Sequence, residues 1–361
     1  MRQHLDLMQD ILDHGHTHED RTGIGRRSIF GTQIRFRMSD GFPLTTTRQM
    51  YPSTMIRELL WFLTGSSDAS DVKIWRHWAV RPSDIDDFMD QHANMIGADT
   101  DAVRVHMDGY LNSVGHMYGA AWRNAPRSVN HVLLPQIPIE DMPSDRLAGY
   151  EETYTSIIKG LQNQGDPEAY VPTRAETYNF QYRQTCDQIN ELILGLRQRP
   201  WSSRHVVSAW IPEWIPSETL SPQANVLLDL GALAPCHFAF QCFVSPPAEG
   251  SDRLRLSLML NMRSSDVAVG WSYNIAQYAL LLHLIASVTN MEPYELIYVG
   301  GDVHLYTNQL DTVREQLSRD PLPMPQIWVN PAIKDIFAFT EQDIKISDYQ
   351  YHDAIIHQVA V

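Results

Sequence analysis

From residue 237 to residue 306 the chain reads strand, strand, helix, strand, and that order limits its fold more than any other feature. "HFAFQCFVS" and "LRLSLMLNMR" are strand-like, and "YELIYVGGDVHLY" is a further strand running into a loop. Between them "SYNIAQYALLLHLIASVTN" sets Ile275, Tyr278, Leu282 and Ile285 along one helical stripe. Strands that follow one another directly, mixed with helices, predict an α+β fold on one large mixed or mainly antiparallel sheet with packed helices. Upstream, "HLDLMQDILDH" has helical spacing at Leu5, Met8 and Leu12, "DRTGIGRRS" reads as a loop, and "IFGTQIRFRM" alternates as a strand. "TMIRELLWFLTG" is a buried helix with Gly65 at its C-cap. "FQYRQTCDQINELILGLRQRP" is expected to be helical up to Pro200, and "HVVSAWIP" and "NVLLDLGAL" are expected to be strands. The stretch from about 124 to 180 is rich in proline and short polar residues. It reads as an insertion in a single domain spanning 1–361, partly helical near "YEETYTSIIKGLQNQG".

Charge and cysteine usage then exclude several classes. A net charge of −15 argues against a wide nucleic-acid-binding surface, though a local basic pocket for one phosphate remains open. The cations are 24 Arg against 4 Lys; a few bidentate phosphate contacts or plain codon bias would each give that balance. No run approaches the ~20 apolar residues of a membrane span. Three cysteines, at 186, 236 and 242, form no disulfide framework, so a cytoplasmic protein is expected. "GIGRRS" lacks the third glycine of a dinucleotide fingerprint, and Cys236, His237 and Cys242 lack zinc-ligand spacing, so no metal is expected.

What remains is a set of polar residues in apolar or glycine-marked surroundings. Arg21 beside Thr22 and Gly23 could face an anion. Arg204 begins a strand and Arg263 ends one. Glu58 lies in "IRELLWFL", where an unpaired carboxylate is costly. Asn274 sits near the start of the apolar helix, and an amide reads a donor and an acceptor on a flat heterocycle at once. His304 and Tyr306 alternate on one strand. Each alone has an ordinary structural explanation, such as a cap, a salt bridge or a satisfied core group. Cys236 itself is open between a nucleophile, half of a metal site and an inert strand residue. Together the set suggests a site for a phosphorylated heterocycle.

The chain resembles the thymidylate synthase family over nearly its whole length outside 124–180. The stretches are "DRTGIGRRSIFG", "DGFPLTTTR", "IRELLWFLTGS", "IWRHWA", "MYGAAWR", "LAPCHFAFQ", "RSSDVAVGWSYNIAQYALLLHLIA" and "GGDVHLYTNQL". The resemblance implies that Cys236 adds to C6 of dUMP, with Glu58 shuttling protons, Tyr118 helping to remove the C5 proton and Asp266 supporting the chemistry. It implies phosphate contacts from Arg21, Arg263, Ser264 and an Arg204 lent across a homodimer, with His205 where a second phosphate arginine is expected and Gln241 also on the substrate. It places His304 and Tyr306 on the deoxyribose hydroxyl and Asn274 on uracil, where cytosine-specific relatives carry aspartate. Methylenetetrahydrofolate is the implied co-substrate, held by Trp75, Trp78, Asp266, Gly270, Tyr273, Tyr51 and the C-terminal Val361. No metal, membrane or nucleic-acid partner is implied.

The family divides on how the methylene intermediate is quenched. A synthase reduces it with hydride to dTMP; a phage-type hydroxymethylase lets water attack. Met262 before Arg263, Ser272-Tyr273 before the asparagine, Gln277 in place of a serine, and Tyr51 in place of a histidine all depart from usual synthases. "NMRSSDV" also resembles the hydroxymethylase pattern, which ranks dUMP hydroxymethylation first. The tail "HQVAV", with Trp75 and Trp78, resembles a synthase that excludes water, which keeps reduction to dTMP as the alternative. A non-catalytic nucleotide sensor on the same fold is a third and weaker expectation, because Cys236, Glu58, Tyr118 and Asn274 are all present.

Overall fold

The computed structural model describes residues 1–19, 23–96, 100–133, 143, 144, 148 and 178–359. The chain divides into two compact units, Met1–Arg123 with Gln188–Val361, and Asn124–Asp187. In chain order the elements are α1 (Arg2–His14), β1 (His16–His18), β2 (Arg26–Arg37), α2 (Pro52–Thr64), α3 (Pro82–Ile96), α4 (Thr100–Asp108) and α5 (Tyr118–Asn124). Then come β3 (Ala125–Leu133), β4 (Tyr178–Cys186), α6 (Gln188–Gln198), β5 (Val206–Ser208), α7 (Pro222–Leu227), β6 (His237–Ser245) and β7 (Arg255–Asp266). The last are α8 (Gly270–Val288), β8 (Glu292–Tyr306), α9 (Leu310–Leu317), β9 (Gln326–Val329) and β10 (Ile344–Ser347).

Six strands form one mixed sheet in the order β1-β2-β8-β7-β6-β5. Every neighbouring pair is antiparallel except β7 and β8, which run parallel. A parallel pair needs a long crossover, and α8 supplies it. The inner sheet face carries Phe240, Cys242, Leu258, Leu260, Leu296 and Tyr298, all buried. Helix α8 is buried on every side, from Trp271 through Ile275, Ala279, Leu282 and Ile285, so the predicted single stripe is too narrow. A helix apolar all round is a core helix, and this one carries polar residues to the site from the middle of the molecule. Helix α2 ends as predicted at Gly65, whose φ of +76° only glycine adopts without strain.

Several sequence expectations are corrected. "NVLLDLGAL" is no strand: Ser221 Oγ accepts the Ala224 N–H, Pro222 sits in the first turn, and α7 forms instead. "FQYRQTCDQ" is no helix either. Tyr178, Phe180 and Tyr182 alternate with period two in the sequence, and the segment pairs with Ala125–Leu133 as the antiparallel strands β3 and β4 of the second unit. Helix α6 begins only at Gln188. The strand of "HVVSAWIP" is confined to Val206–Ser208, and β2 already starts at Arg26, inside the expected loop. The helix expected near "YEETYTSIIKGLQNQG" lies outside the described residues.

Candidate active site

Cys236 immediately precedes β6, whose pairing with β7 shifts register between His237 and Ala239. That irregularity leaves the cysteine half-buried at the strand end, away from the ladder proper. Its backbone N–H donates to Tyr118 Oη at 2.9 Å, and its carbonyl accepts the Arg263 N–H at 2.8 Å. The Arg263 guanidinium is pinned by donating from Nε to Pro235 O at 3.0 Å and from Nη2 to Ala234 O at 2.8 Å. So fixed, Nη2 lies 4.0 Å from Cys236 Sγ. A cation held against a half-buried sulfur favours the nucleophilic thiolate over the thiol.

An aromatic wall joins this cysteine to Glu58. Tyr118, at the start of α5, stacks on His237 with ring centroids 3.6 Å apart, and His237 Nδ1 meets Tyr278 Oη at 2.8 Å. Trp75 packs edge-on to Tyr118 at 6.1 Å and donates from Nε1 to Glu58 Oε1 at 2.7 Å. Gln277 Nε2, from α8, donates to Glu58 Oε2 at 2.9 Å. Burial pushes the Glu58 carboxyl up to about 7, even though both donors hold it down. It can therefore take up or release a proton near neutrality, as a general acid–base requires. Burial pushes the Tyr118 hydroxyl well above its ordinary range and lowers His237 to about 3, so both are neutral hydrogen-bonding groups.

Asn274 lies one helical turn before Gln277 and is half-buried. A Cβ on Gly270 would come 3.6 Å from Asn274 Oδ1, so these two predicted residues adjoin. Asp266, at the end of β7, accepts the N–H groups of Ala268 and Val269 at 3.0 and 3.2 Å, which fixes the entry to α8. Its other oxygen accepts Gln309 Nε2 at 3.0 Å, and the same amide nitrogen donates to Gln358 O at 2.8 Å. Gln309 was not predicted; it is fully buried just past the "HLYTN" strand exit, a position no local pattern marks. His304 is buried beside Tyr306, ring centroids 5.1 Å apart, and its Nδ1 lies 3.4 Å from Asp302 Oδ1. Ser264 pairs in register with Asp302. Trp78 packs on Trp75 at 5.5 Å, Tyr273 lies 6.0 Å from the Arg48 guanidinium, and Tyr51 is exposed.

Other predicted residues fall elsewhere. Arg21 and Val361 lie outside the described residues. Arg204 is exposed, and Gln241 Nε2 donates to Ser203 O at 3.0 Å. His205 is buried and points inward: its Nε2 lies 3.1 and 3.3 Å from the carbonyl oxygens of Arg199 and Pro200, and its ring packs on Gly195. Its Nε2 edge is thereby engaged by backbone carbonyls. On the described chain the cation beside the thiol is Arg263. Among the described residues no group of three or more His, Cys, Asp or Glu is placed to hold a metal ion, and no helix is long and apolar enough to cross a membrane.

A sequence model described as thymidylate synthase matches residues 2–361. Thymidylate synthases from two strains of Francisella tularensis subsp. holarctica, FTNF002-00 / FTA and OSU18, are each 32% identical over 366 residues, covering all of this chain and all of theirs. The chain therefore belongs to the thymidylate synthase family, one-carbon transferases that act on dUMP with methylenetetrahydrofolate and are generally dimeric.

Proposed function

We propose that this enzyme transfers a one-carbon unit to C5 of dUMP through a Cys236 adduct at C6 and releases 5-hydroxymethyl-dUMP after hydration. The observation that carries the adduct is the fixed guanidinium of Arg263 at 4.0 Å from Sγ, which prepares the thiolate. Attack at C6 makes C5 nucleophilic. Glu58 relays protons at the base, its carboxyl tuned by burial to about 7. Tyr118, kept protonated, orients the Cys236 backbone and serves as a hydrogen-bonding relay for the C5 proton rather than as a standing base. Asn274 accepts from uracil N3–H and donates to O4; cytosine reverses that pattern, and a mismatched buried pair is strongly rejected. Arg21, Arg263 and Ser264 hold phosphate, with Gln241 nearby, and His304 and Tyr306 hold the sugar hydroxyl.

The residues present also fit a folate. Trp78 and Tyr273 offer half-buried aromatic planes, and the partly buried Asp266 carboxylate keeps acceptor capacity beyond the three donors it serves. Trp75, Gly270, Tyr51 and Val361 complete that set. Methylenetetrahydrofolate supplies the one-carbon unit when bound. A homodimer through the outer sheet face is supported by Phe243, which is 65% exposed, and by the half-buried Met259, Ile297 and Val299 of the same face. Arg204 is the residue lent to the neighbouring site.

Hydration is supported by the departures at Met262, Ser272, Tyr273 and Gln277, the last of which bears directly on Glu58. The second reading, reduction to dTMP, is favoured by the full-length likeness to synthases and by the C-terminal segment, tied through Gln309 to Asp266. Incubation with dUMP and methylenetetrahydrofolate, followed by nucleotide mass and dihydrofolate absorbance, separates them. 5-Hydroxymethyl-dUMP without dihydrofolate is expected; stoichiometric dihydrofolate with dTMP overturns hydration.

A further inference from the structure

Gln277 makes a contact that neither the phosphate, sugar nor base contacts require. Its amide nitrogen is committed to Glu58 Oε2 at 2.9 Å, because a carboxylate only accepts. The other end of the same planar amide, Oε1, is buried and meets no hydrogen-bond donor among the described residues. The side chain is 1% exposed, so bulk water does not satisfy that oxygen. A buried carbonyl left unpaired is destabilising, and one ordered water satisfies it. Glu58 has matching capacity. Each of its oxygens receives one donor, Trp75 Nε1 on Oε1 and Gln277 Nε2 on Oε2, and each keeps a lone pair. The carboxylate and the amide oxygen thus offer two acceptors to the same small molecule, one turn of α8 beyond Asn274.

We propose that Gln277 is a positioning residue that seats the attacking water between its own Oε1 and the Glu58 carboxylate, and so selects hydration as the fate of the methylene intermediate. This rests on the hydroxymethylase reading above. In the step, the water oxygen bonds to the exocyclic carbon while its proton passes to Glu58. The electron pair of the C5–methylene double bond moves onto C5 and then re-forms C5=C6 as the C6–Sγ bond breaks. Cys236 leaves as thiolate, and nothing is oxidised or reduced. A water held by two acceptors points a lone pair away from both, toward an electrophile, which is the geometry addition needs.

The test uses the full-length enzyme with C5-tritiated dUMP and methylenetetrahydrofolate. Tritium release reports removal of the C5 proton, which precedes the choice of water or hydride; nucleotide mass reports the product. Two variants are compared with the wild type: Gln277→Ser, and Gln277→Met, which keeps the volume but neither donates nor accepts as an amide. In variants that still release tritium, hydroxymethyl product per tritium released is expected to fall about tenfold or more. An unchanged ratio in either variant, with hydroxymethyl product from the wild type, overturns the role of Gln277 and leaves the hydroxymethylase reading standing. Complete loss of tritium release in both also overturns it, because Gln277 then acts before the branch. Only dTMP and dihydrofolate from the wild type overturns the hydroxymethylase reading itself.

Discussion

Cys242 lies inside β6 and Cys236 immediately before it, six residues apart, and the fold gives them opposite surroundings. Cys242 is 1% exposed, faces the inner side of the sheet opposite Leu258, and burial pushes its thiol up to about 12. Cys236 stands where the ladder breaks, half-buried, with Tyr118 on its backbone and Arg263 against its sulfur. A thiol among apolar side chains stays a thiol; a fixed cation beside the sulfur favours the thiolate. Residue type is shared; position relative to the register shift separates the two environments.

The largest expected effect breaks the comparison outright. Cys236→Ala should lower turnover by about 10⁴-fold or more while dUMP still binds in equilibrium dialysis, whereas Cys242→Ala should leave kcat within about threefold. Retained turnover in the first variant would remove Cys236 from its role. Next in size, Arg263→Ala should cut kcat/KM by about 10²-fold and slow iodoacetamide alkylation of Cys236, with alkylation recovering as pH rises. Alkylation of Cys242 should stay slow in both proteins, as peptide mapping would show.

Burial also sets the proton affinity of Glu58, but there it brings the group into the neutral range. Its carboxyl is raised from 4.5 to about 7, so the folded state holds the proton more tightly than the unfolded chain. Wild-type stability should therefore fall as pH climbs from 4.5 through 7, by on the order of 1–3 kcal/mol. Glu58→Gln should lack that loss: urea melts of the two proteins should diverge across this window and run parallel below it. The smallest effect belongs to Cys242→Ser, which buries a hydroxyl in an apolar layer. It should cost about 1–2 kcal/mol of stability with no change in product, measured by chemical denaturation.

Much of this was legible in the residues. The run around β6 to β8 announced a mixed sheet with a helix set into it, and the carboxylate of Glu58 stood out because its neighbours are apolar. Other features were not legible for definite reasons. Ser221 and Pro222 turned an apolar stretch into a capped helix, and the alternating aromatics of β4 were masked by the helical pattern that follows them. Gln277 was visible only as a departure from a serine. That it reaches Glu58, 219 positions away in sequence, depends on α2 packing against α8. Nothing in the neighbours of His205 shows that the chain turns its ring onto the carbonyls of Arg199 and Pro200, just past α6.

Cys236 as the covalent attachment point is the central proposal, and one measurement tests it. With 5-fluoro-dUMP and methylenetetrahydrofolate the fluorine cannot leave C5 as a proton does, so the adduct is held after the one-carbon unit arrives. Peptide mass mapping of the trapped complex should place the nucleotide on the peptide segment carrying Cys236, on its sulfur, and find Cys242 unmodified. Attachment to any other residue, or no covalent complex from a protein that still binds dUMP, would contradict it.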